Sequence, residues 1–212
     1  MTFPSVVAAT TYQSATSDAT TWAAYSGVNV EKGSIFVASC GRATTFSTSS
    51  PNWTKLGEQF SAALGSGGDV DSAVFYKTAN AASDSLTIDT TDATQFTGIL
   101  LRVSGGGIVG GASQADTDNP PNLALSGTRD VLWVALICAG WSEIASAAPS
   151  GYSGLTRVQG LTANAASTSL AYRSVSASSQ NPGAFSGISA DGGSAWTLAL
   201  YASRNRRSSG FL

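Results

Sequence analysis

Two short clusters of acidic residues have the residue types and the spacing that could hold a metal ion. Asp69 and Asp71 stand two positions apart, and Asp116, Asp118 and Asn119 form a second cluster. Oxygen ligands of this kind suit Ca²⁺, but neither cluster continues with the glycine and the distant glutamate of an EF-hand loop. Asp and Asn also build turns without any ion. The spacing therefore favours turns, and we expect no metal site.

Acid–base chemistry has few candidate residues in this chain. The sequence contains no histidine, which removes the commonest general base and the central residue of His-dependent catalytic triads. A glycosidase needs two carboxylates about 5–10 Å apart, and no neighbouring residues mark such a pair among the thirteen acidic residues. The sequence has no P-loop, nucleophile elbow or Ser-x-x-Lys motif. We therefore expect no catalytic residues and predict that the protein is not an enzyme.

A glycine-rich stretch formally matches the dinucleotide-binding fingerprint G-x-G-x-x-G. Gly105, Gly107 and Gly110 occupy the three glycine positions after an apolar stretch. However, Pro120 and Pro121 stand where the nucleotide-binding helix should run, and the fingerprint needs that helix. We expect a flexible connector here and no bound cofactor.

The elements that would position any site are organised as a repeat. Five landmarks recur 96 to 98 residues apart: Val37 and Val134, Cys40 and Cys138, Pro51 and Pro149, Tyr76 and Tyr172, Leu100 and Leu198. A period of this length is too long for a solenoid unit. It indicates one domain over residues 1–203, with halves at about 1–104 and about 113–203, followed by a basic tail at 204–212.

The local patterns predict strands. Residues 96–103 and 131–138 are near-continuous apolar runs, as expected for strands buried on both faces, and residues 86–88 alternate with period two. The best helical candidate is a single turn near residues 20–25. Two equivalent sets of short strands predict an all-β fold: an antiparallel β-sandwich, jelly-roll-like, with halves related by a pseudo-twofold axis.

An aromatic motif occurs once in each half. The first copy is Pro-Asn-Trp-Thr-Lys-Leu at 51–56, and the second is Pro-Ser-Gly-Tyr-Ser-Gly-Leu at 149–155. Proline cannot donate to a strand ladder, so we expect it just before a strand. We expect Trp53 and Tyr152 to enter the core or cap its end, Thr54 and Ser153 to face outward, and both leucines to face the core.

The composition is that of a folded protein with a neutral surface. Charged residues make up 11%, hydrophobic residues 42%, and the formal net charge is -2. The longest apolar run, residues 131–141, is about half of what a membrane-spanning helix needs, so we expect no membrane partner. Cys40 and Cys138 are expected to be buried free thiols; the alternative is a bridge formed in an oxidising medium.

These patterns resemble a β-sandwich family found in the virions of tailed bacteriophages. The resemblance rests on residues 35–40, 51–56, 74–79 and 98–103 in the first half and on 149–155, 171–174 and 195–201 in the second. It covers most of residues 28–202 and implies a virion protein without catalytic residues. We expect a structural protein assembled in the host cytoplasm, most simply a capsid decoration or cement protein.

The partners implied by this resemblance are other virion proteins, namely major capsid or tail proteins, and copies of the chain itself. The alternative is a tail or fibre accessory protein, or a receptor- or glycan-binding module. In that alternative, a host glycan would be held by the loops at 65–70, 113–121 and 188–194, with Trp141 stacking on sugar.

The C-terminal tail is the candidate docking segment. Its expected anchors are three cations and a terminal apolar pair: Arg204, Arg206, Arg207, Phe211 and Leu212. Arginine and aromatic residues are common interface anchors; the alternative is a frayed, solvated tail. Without the three arginines the formal charge would be -5. So few cations on an acidic body make a poor phosphate-binding surface, and we expect no nucleic-acid partner.

Overall fold

The computed structural model describes residues 3–14, 19–28, 35–40, 45–60, 70–77, 84–105, 107–115, 117–140, 143–161, 165–188 and 193–201. Over these ranges the chain forms antiparallel strands and no helix, which confirms the predicted all-β class. No helix in this part of the chain could span a membrane. The strands are β1 (Ser5–Gln13), β2 (Ala19–Val28), β3 (Ile35–Cys40), β4 (Phe46–Ser47), β5 (Trp53–Gln59), β6 (Asp71–Lys77), β7 (Asp84–Thr94), β8 (Phe96–Ser104), β9 (Gly107–Ala115), β10 (Leu123–Ala139), β11 (Ser153–Val158), β12 (Ser167–Gln180) and β13 (Ser194–Tyr201).

The strands form three antiparallel sheets. The first sheet has the order β1-β8-β3-β6-β5, the second sheet has the order β11-β12-β10-β13-β9, and a three-stranded cover sheet has the order β2-β7-β4. The first sheet and the cover sheet use residues 5–104, whereas the second sheet uses residues 107–201. Each five-stranded sheet therefore comes from one half of the chain.

The two five-stranded sheets have the same strand order. From its β1 edge the first sheet is β1-β8-β3-β6-β5, and from its β9 edge the second sheet is β9-β13-β10-β12-β11. In both sheets the first strand of the half lies at one edge, and the last strand of the half is its neighbour. The pairing agrees as well, because Val37 is opposite Ile99 and Val134 is opposite Leu198.

A shared core contains side chains from both five-stranded sheets. The first half supplies Val70, Val74, Ile99, Leu101 and Val103; the second supplies Leu132, Val134, Leu136, Cys138, Val158, Ala166, Leu170, Trp196, Leu198 and Leu200. These residues alternate along their strands, as expected for one face of a sheet. The burial of this face joins the two halves.

Each half also buries the opposite face of its own sheet. In the second half an outer core is formed by Val131, Trp133, Ala135, Ile137, Ala139, Ala145, Tyr152, Ala171, Phe185, Ile188, Ala195 and Ala199. In the first half Phe75 and Leu100 are fully buried, as are Leu86 and Ile88 of the cover sheet. Both faces of β8 and of the C-terminal part of β10 are thus buried, as the apolar runs predicted; Arg102 and Ser104 are the half-buried exceptions in β8.

One local prediction was wrong. Residues 20–25, the best candidate for a helical turn in a sequence with no convincing helix, belong to β2, which pairs with β7; their β-branched and aromatic side chains favour a strand. The expected flexible connector is instead β9, which pairs with β13. Glycine is needed there for close packing, because a Cβ on Gly111 would lie 2.8 Å from Cδ2 of Leu56 in the first sheet.

Candidate interaction surface

The aromatic motif is a tight turn that directs a ring into the core. Asn52 and Gly151, the residues before the two rings, have positive φ angles of 68° and 77°. In the second copy the backbone N–H of Tyr152 donates to the carbonyl of Pro149 at 3.0 Å. The rings of Trp53 and Tyr152 are 7% and 9% exposed. The predicted core role of both rings is therefore confirmed.

The residues that follow each ring also lie largely as expected. Thr54 and Ser153 are exposed, as predicted. Leu56 and Leu155 are half-buried; Leu56 packs against the shared core and Leu155 against the outer core of the second half.

Sequence reasoning missed a cation beside each of these rings. Lys77 is directly opposite Trp53 in the β5–β6 ladder and is buried. The guanidinium of Arg173 lies 5.7 Å from the centre of the Tyr152 ring. The available signal was the recurrence of Tyr-Lys at 76–77 as Tyr-Arg at 172–173. In each half a cation of the neighbouring strand therefore lies opposite the ring or close to it.

The hydroxyl of Tyr152 remains protonated at neutral pH. Burial raises the pKa of Tyr152 to about 12, and the nearby charge of Arg173 opposes that shift. The hydroxyl is buried without a hydrogen-bond partner in the described structure, as is Nε1 of Trp53. Both rings therefore contribute to the fold through apolar packing.

Cations on β5 and β11 hold neighbouring segments in place. Nζ of Lys55 donates to the carbonyl of Phe46 at 2.8 Å and pairs with Glu58 at 2.9 Å, while Glu58 accepts the Phe46 N–H at 3.1 Å. In the second half, Nη1 of Arg157 donates to the carbonyl of Ala145 at 2.8 Å. The Lys55–Glu58 pair therefore attaches β4 of the cover sheet to the first sheet.

The edges of the two five-stranded sheets are irregular. Each ladder that contains an edge strand, whether β1, β5, β9 or β11, shows a register shift: at Val6/Ala8, Lys55/Gly57, Ala199/Leu200 and Ser153/Thr156. Such bulges twist an edge and interrupt its row of unpaired backbone groups. These edges are therefore poor templates for addition of a foreign strand.

The surface best suited to contact with another protein is on β10 and β12. We call it the small-residue face; its exposed members are Ala124, Ser126, Gly127, Thr128, Ser174, Ser176, Ser178 and Ser179. None carries a charge or a long side chain. Oγ of Ser176 donates to the carboxylate of Asp130, which is half-buried beside this face. Covering the short side chains of the face would immobilise little side-chain entropy.

The expected site residues are placed as follows. Arg204, Arg206, Arg207, Phe211 and Leu212 of the expected docking tail lie outside the described residues, as do Trp141, Asp69 and Asp116 and the loop segments 65–69 and 189–192 of the glycan alternative. Of the remaining loop positions, the Asn119 N–H donates to Oγ1 of Thr117 at 3.0 Å, and the Asp118 carbonyl accepts the Phe185 N–H at 3.1 Å. The first bond forms a local turn, as expected for that segment, whereas the second joins the segment to a distant part of the chain.

Other candidate residues lie within the fold. Asp71 is 7% exposed and belongs to β6. Within the described ranges no group of three metal-binding side chains comes together. Cys138 is a buried free thiol in the shared core, whereas the side chain of Cys40 lies outside the described part of the structure.

Comparison with known proteins identifies no relative. The chain matches no protein-family model, no curated protein and no solved structure.

Proposed function

We propose that the chain is a structural protein of a tailed-phage particle, a capsid decoration or cement protein that strengthens the particle through protein–protein contacts. The observation that carries this proposal is the small-residue face on β10 and β12. Its eight exposed residues are all Ser, Thr, Ala or Gly. A face of short neutral side chains loses little entropy on contact, and it suits packing against another protein in a crowded shell.

The blunted sheet edges support the same role. Bulges near the edges of both five-stranded sheets disfavour open-ended strand addition. Contact between copies, or with capsid or tail proteins, then takes place through faces and loops with a defined geometry. A closed shell requires such defined contacts, whereas unlimited edge pairing leads to fibres. The role requires no catalytic residue, cofactor, nucleic acid or membrane.

We also propose a finer architecture, in which the two halves form one jelly-roll-like antiparallel β-sandwich and the first half itself follows the jelly-roll strand order. In an eight-stranded jelly roll, one sheet holds the first, eighth, third and sixth strands and the other holds the second, seventh, fourth and fifth. The order β1-β8-β3-β6 with β2-β7-β4 supports this topology for the first half. Here β5 pairs with β6 and is attached to β4 by the Lys55–Glu58 pair. The matching strand orders of the two sheets support a pseudo-twofold relation between the halves.

The C-terminal tail is proposed as a second contact. It follows β13, and its arginines would meet acidic residues on a neighbouring protein while Phe211 and Leu212 fill a small pocket. In the assembled virion the neighbour is a major capsid protein, a tail protein or another copy of this chain. The alternative function, a tail-fibre or glycan-binding module, predicts a few dozen copies or fewer per particle.

The proposal is tested by introducing charge and bulk on the small-residue face. The double variant Ser174→Arg/Ser178→Arg should fold normally and lose at least tenfold of its incorporation into particles, because two long cations cannot be packed there without desolvation. The matched control is Thr54→Arg, which changes an exposed strand residue in the first half. Quantitative mass spectrometry of purified particles gives the copy number of each variant.

The copy number also separates the two functions. Hundreds of copies of the unmodified chain per particle support decoration. A few copies, together with binding of the isolated protein to host-cell glycans, would contradict decoration and favour the alternative. Equal incorporation of the double variant and the control would show that the small-residue face takes no part in the contact.

A further inference from the structure

Each half of the chain has a core of its own in addition to the shared core. In the second half the outer core includes fully buried Trp133 and Ile137. In the first half Phe46, Phe75 and Leu86 are buried away from the shared core. Because each half satisfies its own sheet and buries its own apolar face, the shared core is a docking surface between two folded units.

Side chains make all of the described contacts between the two docked sheets. No strand of the first sheet pairs with a strand of the second in the described ladders. Four described polar links join the sheets: Oγ of Ser72 to Oγ of Ser194 at 2.5 Å, Nε1 of Trp196 to Oγ of Ser72 at 2.9 Å, Oγ1 of Thr97 to Oγ1 of Thr168 at 2.9 Å, and Oγ of Ser113 to Oε1 of Gln59 at 2.9 Å. Halves joined in this way can separate without breaking a ladder.

The docking surface of the first half is complementary to that of the second half, and neither surface is complementary to a second copy of itself. Trp196 of the second half packs on Gly57 of the first, where an added Cβ would lie 3.2 Å from the ring. The position on β8 that corresponds to Trp196 on β13 holds Thr97, as the paired registers show when Ile99 is matched with Leu198. A large ring on one half thus meets a glycine on the other, so a first half fits a second half.

The connection between the halves is very short. Only two residues, Gly105 and Gly106, separate the end of β8 from the start of β9. Gly105 has a φ of +77°, and glycine readily leaves such a turn for an extended conformation. Short hinges of this kind favour exchange of equivalent elements between copies.

We propose that two copies of this chain exchange halves, so that the first half of one copy docks on the second half of the other through the shared core. The exchanged dimer retains the described contacts between the two halves and changes the connection that joins them in sequence. It provides a way to link copies that does not depend on the small-residue face or on the proposed role in a virion.

The experiment uses the full chain with an engineered disulfide across the docking surface. Ser72→Cys and Ser194→Cys are introduced together in a Cys40→Ala/Cys138→Ala background, because Cys138 is opposite Ser194 in the β10–β13 ladder. The protein is refolded over a range of concentrations, oxidised, and analysed by size exclusion and by denaturing gel without reductant. In a single folded chain the bridge is intramolecular, whereas in an exchanged dimer it joins two chains covalently.

Two hinge variants test how the length of the hinge changes the fraction of covalent dimer. Deletion of Gly105 and Gly106 should convert the protein to a dimer that stays covalent on the denaturing gel. Insertion of ten Gly/Ser residues at the hinge should lower the covalent dimer fraction at least tenfold, because a long hinge permits docking within one chain. Dimers of the deletion variant that separate into single chains on the gel, or a deletion variant that folds as a monomer, would overturn the proposal.

A deletion variant that fails to fold still leaves the natural hinge as a test. The covalent dimer fraction of the chain with the natural hinge should rise with protein concentration during refolding. Its absence at every concentration would also overturn the proposal.

Discussion

At the scale of single residues, the fold depends on a few positions where backbone conformation and packing coincide. Asn52 and Gly151 adopt left-handed conformations directly before a buried ring. A left-handed conformation costs most residues about 1–2 kcal/mol, and glycine and asparagine tolerate it best. This explains why the two copies of the aromatic motif carry Asn and Gly at this place.

Gly151→Ala should lower the free energy of unfolding by about 1–2 kcal/mol. The alanine would have to adopt the φ of +77° that Gly151 has, and its Cβ would lie 3.2 Å from Nη1 of Arg173. Gly183→Ala is the matched control, because Gly183 has a φ of +83° and an added Cβ would meet no atom within 4 Å. Urea unfolding measures both, and a loss for Gly151→Ala no larger than that of the control would contradict the contact with Arg173.

At the scale of elements, side-chain hydrogen bonds connect segments that no strand ladder joins. The cover strand β4 contains only Phe46 and Ser47 and pairs with β7 on one side. On its other side the Phe46 N–H and carbonyl bond to Glu58 and Lys55 of β5. An ion pair therefore takes the place of a strand ladder between the cover sheet and the first sheet.

Glu58→Ala should open β4 locally. The variant removes the acceptor of the Phe46 N–H, and hydrogen exchange at that amide should become up to tenfold faster, equivalent to about 1 kcal/mol for a partly exposed bond. Glu58→Gln retains an acceptor and should have a smaller effect. Exchange at Phe46 that is the same in the natural chain and in Glu58→Ala would show that the pair does not hold β4.

At the scale of the whole molecule, the shared core couples two units that each have their own core. Trp196 is the largest side chain in the shared core and is 3% exposed. It contacts the first half through both its ring and its N–H, at Gly57 and Ser72. Loss of this side chain should therefore affect both halves.

Trp196→Ala should destabilise the protein by about 3–5 kcal/mol. Hydrogen exchange measured at increasing denaturant concentrations should show that amides in both halves, for example those of Ile99 and Val134, lose their protection at a lower concentration than in the natural chain. The control is Trp133→Ala, which removes an equally large side chain from the outer core of the second half and should affect that half more. If Ile99 responded equally to the two variants, Trp196 would have no special part in the coupling.

Sequence alone determined the class of the fold, the position of β8 and of the C-terminal part of β10, and the burial of Trp53 and Tyr152. These features follow from local signals: apolar runs, alternation with period two and turn residues before an aromatic ring. The spacing of the landmarks also indicated two halves, and the strand orders of the two five-stranded sheets correspond. The landmarks Leu100 and Leu198 show the limit of what the spacing predicts. Leu198 belongs to the shared core, but the residue at the matching position of the first half is Ile99, the neighbour of Leu100.

Only the tertiary structure decided which side chains meet. A shift of one residue in register moves a side chain to the other face of a sheet, and sequence spacing does not resolve such a shift. The structure placed Lys77 and Arg173 beside the buried rings, made a strand of the glycine-rich segment, and brought Trp196 to Gly57. Each of these contacts joins residues distant in sequence, and the packing of whole sheets selects them.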